Sequence, residues 1–353
     1  MSEVEKLGLG TTDVEAITPK EIADTVLDTV RHKTVISQLF QKNMDLTRVK
    51  GRSLVIPKLN NKLTVYSDVS AGSSIPASSL SYEGVTVEVS KFGIVVKVDQ
   101  EALEMAARDL TKDLFRFAGG QLADELDRRA TTIALDLKEG TVTSWSGGSI
   151  GAATAPIIQI TSVSGATIDS VDYYKGSIIL TGSVSAATVT YLYSDRCRTT
   201  GQYVDVDTAE YLKVWDVLEL RGTMTAHTIY PDILLVHPRE LQTLLYDPDC
   251  MSLFTNVDSY QKTEPLSGEV GKIGDIRVLA SGNVPEGVGI LVDSNRLGVE
   301  VIKRELDLQA KEKPSQDQVW YLIWSEREFG VLDSYAIGVI VNAKTGEYRG
   351  THT

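Results

Sequence analysis

The amino-acid sequence predicts an α+β protein of two or three domains, and three observations support this fold class. First, apolar residues recur every three to five positions between 99 and 140, which is the period of an amphipathic helix. Second, two runs within residues 51–98, at 53–59 and 85–98, have the two-residue period of β-strands. Third, residues 141–202 combine β-branched residues and glycine with few charges, as small all-β units do. The chain has 353 residues, of which 42% are hydrophobic, and can therefore bury several cores.

The N-terminal part of the chain predicts an arm followed by a helix. Residues 1–17 show no sustained period and are expected to be extended. Thr18, Pro19 and Glu21 then form a helix start, in which Thr18 is the N-cap and Glu21 completes a capping box. We expect an amphipathic helix over residues 19–41.

The next stretch predicts a long two-stranded arm that projects from the body and covers residues 51–98. Two apolar–polar runs flank a small, polar segment, whose tip lies near Asp68 to Ser79. Segments of this length are uncommon inside compact domains and are usually functional. Because an isolated hairpin is only marginally stable in water, we expect this arm to rest on another subunit.

The central apolar stripe predicts a short helix at 100–108 and a longer one over about 112–138. Gly119 and Gly120 lie inside the longer helix, where each costs about 1 kcal/mol relative to Ala. We therefore expect a bend or a close approach of another backbone there. Asp127 and the other charged residues are placed on the solvent-facing side. A rod of this length cannot bury its apolar stripe alone, so sheets must pack against it.

The second half of the chain begins with an inserted β domain over residues 141–202, such as a small sandwich, whose low charge suits a contact surface. Residues 176–194 carry no charge but are rich in Ser, Thr and Gly, so we expect paired strands there rather than a membrane span. Asp207 and Glu210 open another predicted helix. A buried strand then leads through Pro238 into a further helix, and five predicted strands follow.

The charge balance limits the function classes that fit. Asp and Glu together number 48 and Lys and Arg 35, which gives a net charge of -13. This balance argues against an avid nucleic-acid binder, although a wall that merely surrounds nucleic acid remains compatible with it. Cys197 and Cys250 are too few for a disulfide framework, and the N-terminus lacks the basic-then-apolar order of a signal peptide.

Sequence motifs for catalysis are weak. Residues 147–151 read G-G-S-I-G and match the nucleophile pattern of hydrolases, which requires a strand before Ser149 and a helix after it. Pro156 closes off a helix there, so we expect a glycine-rich turn. The four histidines lack the spacing of metal ligands. One pair of aspartates resembles a catalytic dyad only weakly, and the three glycines at 268–274 do not match a phosphate loop. We expect no catalytic, metal or cofactor site at any of them: His32, His227, His237, His352, Asp247, Asp249, Gly268, Gly271 and Gly274.

The order and spacing of these elements resemble the Hong Kong 97-type major capsid protein of tailed bacteriophages and related viruses. Residues 55–104 carry the most specific likeness, because they resemble the extended loop that leads into the spine helix of that family. Residues 233–245 resemble the strand, proline and helix of its axial domain. Residues 268–306 resemble the passage from the axial to the peripheral domain, and residues 324–343 resemble the closing strands.

The resemblance implies an α+β capsid fold with an insertion whose placement the family does not fix. The implied segments are an N-terminal arm (1–50), an extended loop (51–98), the spine helix of the peripheral domain (99–140), the inserted all-β domain (141–202), the axial domain (203–285) and a return to the axial and peripheral domains with the C-terminal strands (286–353).

The resemblance also implies a structural, non-enzymatic subunit of a virion capsid, without cofactor or membrane. Such subunits form pentamers and hexamers, enclose double-stranded DNA without reading its sequence, meet a portal protein at one vertex and assemble in the host cytoplasm. Scaffolding would come from a separate chain or a removed N-terminal segment, and decoration proteins would be further partners. Each extended loop would contact a neighbour, and some relatives join loop and peripheral domain by a lysine–asparagine bond. The implied contact residues are Lys58, Lys62, Asp68, Gly72 and Ser79, and the implied cross-link joins Lys62 to Asn342.

Two alternatives remain open on the sequence. An encapsulin-type compartment would use the same fold to enclose enzyme cargo instead of DNA. A serine hydrolase would use Ser149 as its nucleophile.

Overall fold

The computed structural model describes residues 26, 29–30, 33–59, 82–99, 110–146, 149–182, 186–206, 211–246, 254–256, 269–313 and 318–343. Within these ranges the chain forms five β-sheets and four α-helices that we name α1 to α4, besides a few helical residues near the N-terminus. The helices are α1 (Leu110–Leu135), α2 (Asp195–Thr200), α3 (Val214–Ala226) and α4 (Pro238–Tyr246). The strands are β1 (Gln41–Asn43), β2 (Ser53–Leu59), β3 (Tyr82–Glu88), β4 (Ser90–Asp99), β5 (Leu137–Val142), β6 (Trp145–Ser146), β7 (Ile150–Ala152), β8 (Ile157–Ser164), β9 (Ile168–Asp172), β10 (Ser177–Leu180), β11 (Thr188–Ser194), β12 (Tyr203–Asp205), β13 (Ile233–Val236), β14 (Phe254–Asn256), β15 (Glu269–Ile273), β16 (Ile276–Ala280), β17 (Gly289–Val292), β18 (Gly298–Lys313), β19 (Gln318–Val331) and β20 (Ile337–Val341).

Helix α1 packs on one side of a four-stranded sheet with the order β1-β18-β19-β4. The ring of Phe115 meets that of Tyr321 edge-on at 5.0 Å between centroids, and Phe40 lies 4.9 Å from Phe329. The predicted requirement that a sheet cover the apolar stripe of this helix is therefore confirmed.

The N-terminal helix ends earlier than predicted. Residues 26, 29, 30 and 33 are helical, but the chain then turns through a 3-10 turn at Ser37–Leu39 and enters β1, so a helix reaching residue 41 is wrong. The cause is Asp127, whose carboxylate accepts hydrogen bonds from the backbone N–H groups of Val35, Ile36 and Ser37 at 2.8, 3.1 and 3.0 Å. Its predicted position in solvent is also wrong, because Asp127 is 1% exposed.

The two glycines inside α1 mark a close approach, one of the two predicted outcomes. A Cβ on Gly119 would lie 3.1 Å from Thr29 Cβ and 3.2 Å from the Val26 carbonyl oxygen. A Cβ on Gly120 would lie 2.7 Å from Lys33 Nζ. The missing side chains therefore let the N-terminal helical residues pack directly on α1.

The predicted all-β insertion is present as two small sheets, β5-β11-β8 and β6-β7-β10-β9, which enclose a hydrophobic cluster of their own. Helix α1 ends at Leu135 rather than near 138, and Asp136 has a positive φ of 49°. Strand pairing then starts at Leu137, before the predicted boundary at Thr141. The uncharged stretch 176–194 contains β10 and β11, as predicted, and within the described ranges every helix is too short or too polar to span a bilayer.

A seven-stranded sheet, β12-β20-β17-β13-β16-β15-β14, carries α3 and α4. Strand β13 shows the predicted continuous burial: Leu234 and Val236 face the cluster around α3, whereas Ile233 and Leu235 face the main core. The predicted path through Pro238 into a helix is confirmed as α4. Helix α3 begins at Val214, after the start predicted from residues that lie outside the described ranges at 207–210.

Candidate assembly surface

Strands β2 and β3 form an antiparallel hairpin in which Ser53 pairs with Glu88 and Leu59 with Tyr82. Among the described residues these two strands pair only with each other. Lys58 lies opposite Glu83, so an opposite-charge pair faces across the hairpin. The other predicted contact residues lie outside the described ranges: Lys62, Asp68, Gly72 and Ser79.

The inner face of the hairpin is anchored on the subunit by a small hydrophobic cluster. Its buried members include Val87 on β3 and Val299 and Val301 on β18, and Leu54 and Ile56 of β2 pack against them. A Cβ added to Gly330 of β19 would collide with the Val87 side chain, so this glycine admits the valine. The root of the hairpin is therefore held against β18 and β19.

The outer face of the hairpin carries two large apolar side chains that lie in water. Val55 is 60% exposed and Tyr82 is 69% exposed. The side chain of Val55 lies over Gly84 of the partner strand, where an added Cβ would be only 2.6 Å from the valine Cγ1. An exposed apolar surface on a paired strand is typical of a protein contact site.

The arm is shorter than the predicted span of 51–98. The backbone N–H of Val89 donates to the Arg52 carbonyl at 2.7 Å and closes the base of the hairpin. The chain then leaves it as β4, which pairs with β19 throughout its length. Phe92, Ile94 and Val96 of β4 pack on the core beside α1, and this tertiary partner explains why the apolar alternation continues past the hairpin.

A polar network connects the base of the hairpin to α1. The Ser90 hydroxyl donates to Glu328 Oε2 at 2.6 Å and accepts from Arg129 Nη1 at 2.8 Å. Arg129 also pairs with Glu125 at 2.9 Å on its own helix and covers the ring of Phe92 at 4.8 Å. The junction between β3 and β4 is thus fixed relative to the long helix.

A buried ion pair ties β18 to β19 close to this root, and sequence reasoning missed it. Arg327 Nη1 donates to Glu300 Oε1 at 2.9 Å, with both side chains almost fully buried. Arg327 also donates to the Ser325 hydroxyl at 2.8 Å and to the Glu305 carbonyl at 3.1 Å. Removing one partner of such a pair is costly because the other charge stays buried.

Asn342, the predicted cross-link partner, makes hydrogen bonds inside the subunit. Its Oδ1 accepts from the Tyr173 N–H at 2.7 Å, and its Nδ2 donates to the carboxylates of Asp172 and Asp205. Burial pulls the pKa of Asp172 upward, but bonds from the Lys175 N–H and the Asn342 amide outweigh it and leave this pKa lowered. Asn342 thus fastens the insertion to the seven-stranded sheet, and the cross-link to Lys62 stays a prediction.

The sequence motifs for chemistry do not assemble into a site in the described residues. Ser149 is followed directly by strand β7, so the helix that a nucleophile elbow requires is replaced by a strand. His237 directly follows β13 and lies 3.4 Å from Glu240 Oε2, and Gly274 lies in a turn with a φ of 64° rather than in a phosphate loop. Cys197 is enclosed, and burial raises the pKa of its thiol to about 11.

Metal binding finds no support within the described ranges, where no group of three or more His, Cys, Asp or Glu side chains could hold an ion. Several residues considered in the sequence analysis lie outside the described ranges. They are the aspartate pair Asp247 and Asp249, the first glycine of the phosphate-loop candidate, Gly268, and also Cys250, His32 and His352.

Comparison with known proteins identifies the fold. No protein-family profile matches the chain, and no curated protein does. A solved structure of Mycobacterium phage Bobi is similar at 11% identity and a TM-score of 0.54, covering 88% of this chain and 91% of its own. The capsid structure of cyanophage P-SCSP1u is similar at 13% identity and a TM-score of 0.53, covering 90% of each chain. A solved structure of Microbacterium phage Oxtober96 is similar at 11% identity and a TM-score of 0.52, and the match covers 88% of this chain and 91% of that chain. The chain therefore has the fold of a phage capsid protein, which confirms the resemblance to the Hong Kong 97-type major capsid protein.

Proposed function

We propose that this chain is the structural subunit of a viral capsid, which self-assembles into pentamers and hexamers and closes an icosahedral shell around double-stranded DNA. The similarity to phage capsid structures supports a shell protein at the level of fold. The single observation that carries the proposal is the hairpin β2–β3, which is anchored on one face and apolar but uncovered on the other.

The physical reason is that such a hairpin requires a partner. A two-stranded sheet is marginal in water, and the outer face gains nothing from burial within its own subunit. If a neighbour receives it, the contact is heterologous, and heterologous contacts that close give rings. The net charge of -13 would keep a shell wall from trapping the DNA that it encloses.

Electron microscopy of the purified full-length chain after sedimentation tests the proposal. The wild type should form uniform closed particles, and a variant carrying Val55→Asp and Tyr82→Asp should sediment as small oligomers. Ile150→Asp with Val163→Asp, at two exposed apolar positions on the insertion, adds the same two charges as a matched control and should still assemble. A wild type that stays monomeric at every concentration would refute the shell.

The contents of native particles separate this function from an enzyme-loaded compartment, because a capsid would contain DNA and a compartment would contain protein. The implied partners, namely a portal protein, separate scaffolding and decoration proteins, belong to the same proposal, as does assembly in the host cytoplasm. Denaturing electrophoresis of particles tests the bond between Lys62 and Asn342, which only monomer bands would exclude. We propose no enzymatic role, and an esterase activity lost in Ser149→Ala would contradict this.

A further inference from the structure

The four-stranded sheet beside α1 has a second side that faces away from the helix. Strand register places the side chains of β4, β19 and β18 on this side in rows, so that Lys97, Trp320 and Lys311 form one row. A second row contains Val95 and Leu322. We call this side the tryptophan face, and its residues are Lys91, Val95, Lys97, Lys303, Arg304, Asp307, Lys311, Trp320, Leu322, Trp324 and Glu326.

Cations lie directly over both tryptophan rings. Lys91 Nζ is 3.6 Å from the ring centroid of Trp324, and Arg304 Cζ is 5.0 Å from the same ring. Lys97 Nζ is 4.4 Å from the ring of Trp320. Cation–π contacts of this kind hold the long side chains in place, so the basic groups are arranged before any partner arrives. Less side-chain entropy is then lost on binding.

The tryptophan face is basic, in contrast to the chain as a whole. Its acidic groups are already neutralised, since Glu326 lies 3.6 Å from Lys303 and Asp307 lies 4.0 Å from Arg304. The remaining lysines at 91, 97 and 311 are exposed and form no ion pair within the described residues. Because each copy of the chain carries a net charge of -13, a basic face is electrostatically complementary to the average surface of a second copy.

The apolar centre of the tryptophan face favours a protein partner, and the edge strand of the sheet limits how that partner can bind. Strand β4 is the last strand of its sheet, and edge lysines such as Lys91 and Lys97 discourage uncontrolled addition of further strands. Val95, which lies between Lys91 and Lys97 along β4, is 48% exposed and offers apolar area that a protein contact would bury. A protein surface can bury Val95 and Leu322 as well as meet the lysines, whereas a phosphate backbone supplies only the charge, so a protein fits the face better.

We propose that the tryptophan face binds an acidic surface of a second copy of this chain and steers subunits together through charge. This inference rests on the proposed shell function and adds the partner and the electrostatic character of one contact. Attraction between exposed charges is screened within about 10 Å at 0.1 M salt. Association through this face should therefore weaken as salt is raised.

The test compares the full-length wild type with a variant carrying Lys97→Glu and Lys311→Glu. Both lysines flank Trp320 and are exposed, so the fold should survive, which circular dichroism and thermal melting check. A matched control, Lys42→Glu with Arg116→Glu, changes the net charge equally at exposed positions away from the tryptophan face. We expect the face variant to need about tenfold more protein for self-association at low salt, because the reversed charges repel the acidic partner. Its association should improve rather than weaken as salt is raised, because salt screens that repulsion. The control should match the wild type.

Sedimentation velocity and electron microscopy separate the outcomes. Closed particles that form equally well from the face variant would overturn this inference and leave the shell intact. Salt-dependent association without closed particles would overturn the shell and support the face. An equal defect in the control would show a general charge effect and overturn the face. Normal assembly of the face variant, with loss of binding to a double-stranded DNA fragment, would make this a nucleic-acid surface and would also overturn the inference.

Discussion

Replacing Asp127 by Ala tests how the N-terminal arm is held on the long helix. The carboxylate accepts hydrogen bonds from three consecutive backbone N–H groups, at residues 35, 36 and 37, all of which are buried. No helical turn supplies these donors with carbonyl partners, since the chain leaves the helix after residue 33. Burial raises the pKa of Asp127, while the three donors oppose that rise.

The expected loss follows from the donors that Ala would leave without an acceptor. An unsatisfied buried N–H costs about 1–3 kcal/mol. Because the three groups are adjacent and relax together, we expect a total of about 3–5 kcal/mol in the free energy of unfolding. Asp127→Asn keeps one acceptor oxygen but places its NH2 group against a backbone N–H. It should therefore lose less unfolding free energy than Asp127→Ala. Asp124→Ala, one turn earlier and exposed, is the control and should change stability by less than about 0.5 kcal/mol.

Urea unfolding of the subunit, followed by tryptophan fluorescence, measures the loss of stability, and hydrogen exchange locates it. Trp324 is 5% exposed in the sheet that packs on α1, on the side facing away from the helix, so its emission reports on the unfolding of that sheet. In Asp127→Ala the amides of residues 35–37 should exchange faster than in the wild type. An unchanged midpoint together with unchanged exchange at these three amides would refute the capping role of Asp127.

Three further predictions follow from the packing. Gly119→Ala should be less favourable than Gly222→Ala by about 1–3 kcal/mol, because its Cβ would crowd Thr29 and the Val26 carbonyl whereas position 222 on α3 lies in open space, as thermal melting will show. Asn342→Gly keeps the positive φ but removes the amide, so hydrogen exchange of the Tyr173 N–H should accelerate while β13 stays protected; equal exchange would contradict the fastening role. Because the pKa of Asp172 is lowered in the folded chain, its ionised carboxylate contributes fully to the free energy of unfolding above about pH 3.9, and this stability is lost as pH falls further. The near-UV circular dichroism of the wild type should therefore change below that pH, and that of Asp172→Asn should not.

The elements that sequence predicted well are those fixed by local pattern. The strand before Pro238 and the helix after it follow from a short apolar run, a proline and a helical period. The hairpin β2–β3 follows from period-two alternation. By contrast, the end of the N-terminal helix depends on Asp127, about ninety residues away in the chain. The last strand that we predicted for the arm, β4, pairs instead with β19, which is also distant in sequence. Such partners leave no local signal.

One signal for the buried Asp127 was present in the sequence. It lies four residues after Ala123 and three before Ala130, which places it on the buried stripe of α1 rather than on the wet side. A carboxylate on an apolar stripe requires a dedicated set of donors. The buried pair Glu300–Arg327 and the tryptophan face had no comparable signal, because both arise from the register of β18 against β19, which includes two irregularities.

The order of the hairpin and the formation of the shell are physically coupled. The inner face is secured by Val87 in the space beside Gly330, but Val55 and Tyr82 on the outer face remain in water and add nothing to the stability of the lone subunit. Burial of that face by a second copy would stabilise the hairpin and the contact together. Hairpin order should therefore rise with subunit concentration while the core around α1 stays unchanged. If the proposed contact forms, the subunit therefore combines a body that is stable within one chain with a contact hairpin that a neighbour stabilises further.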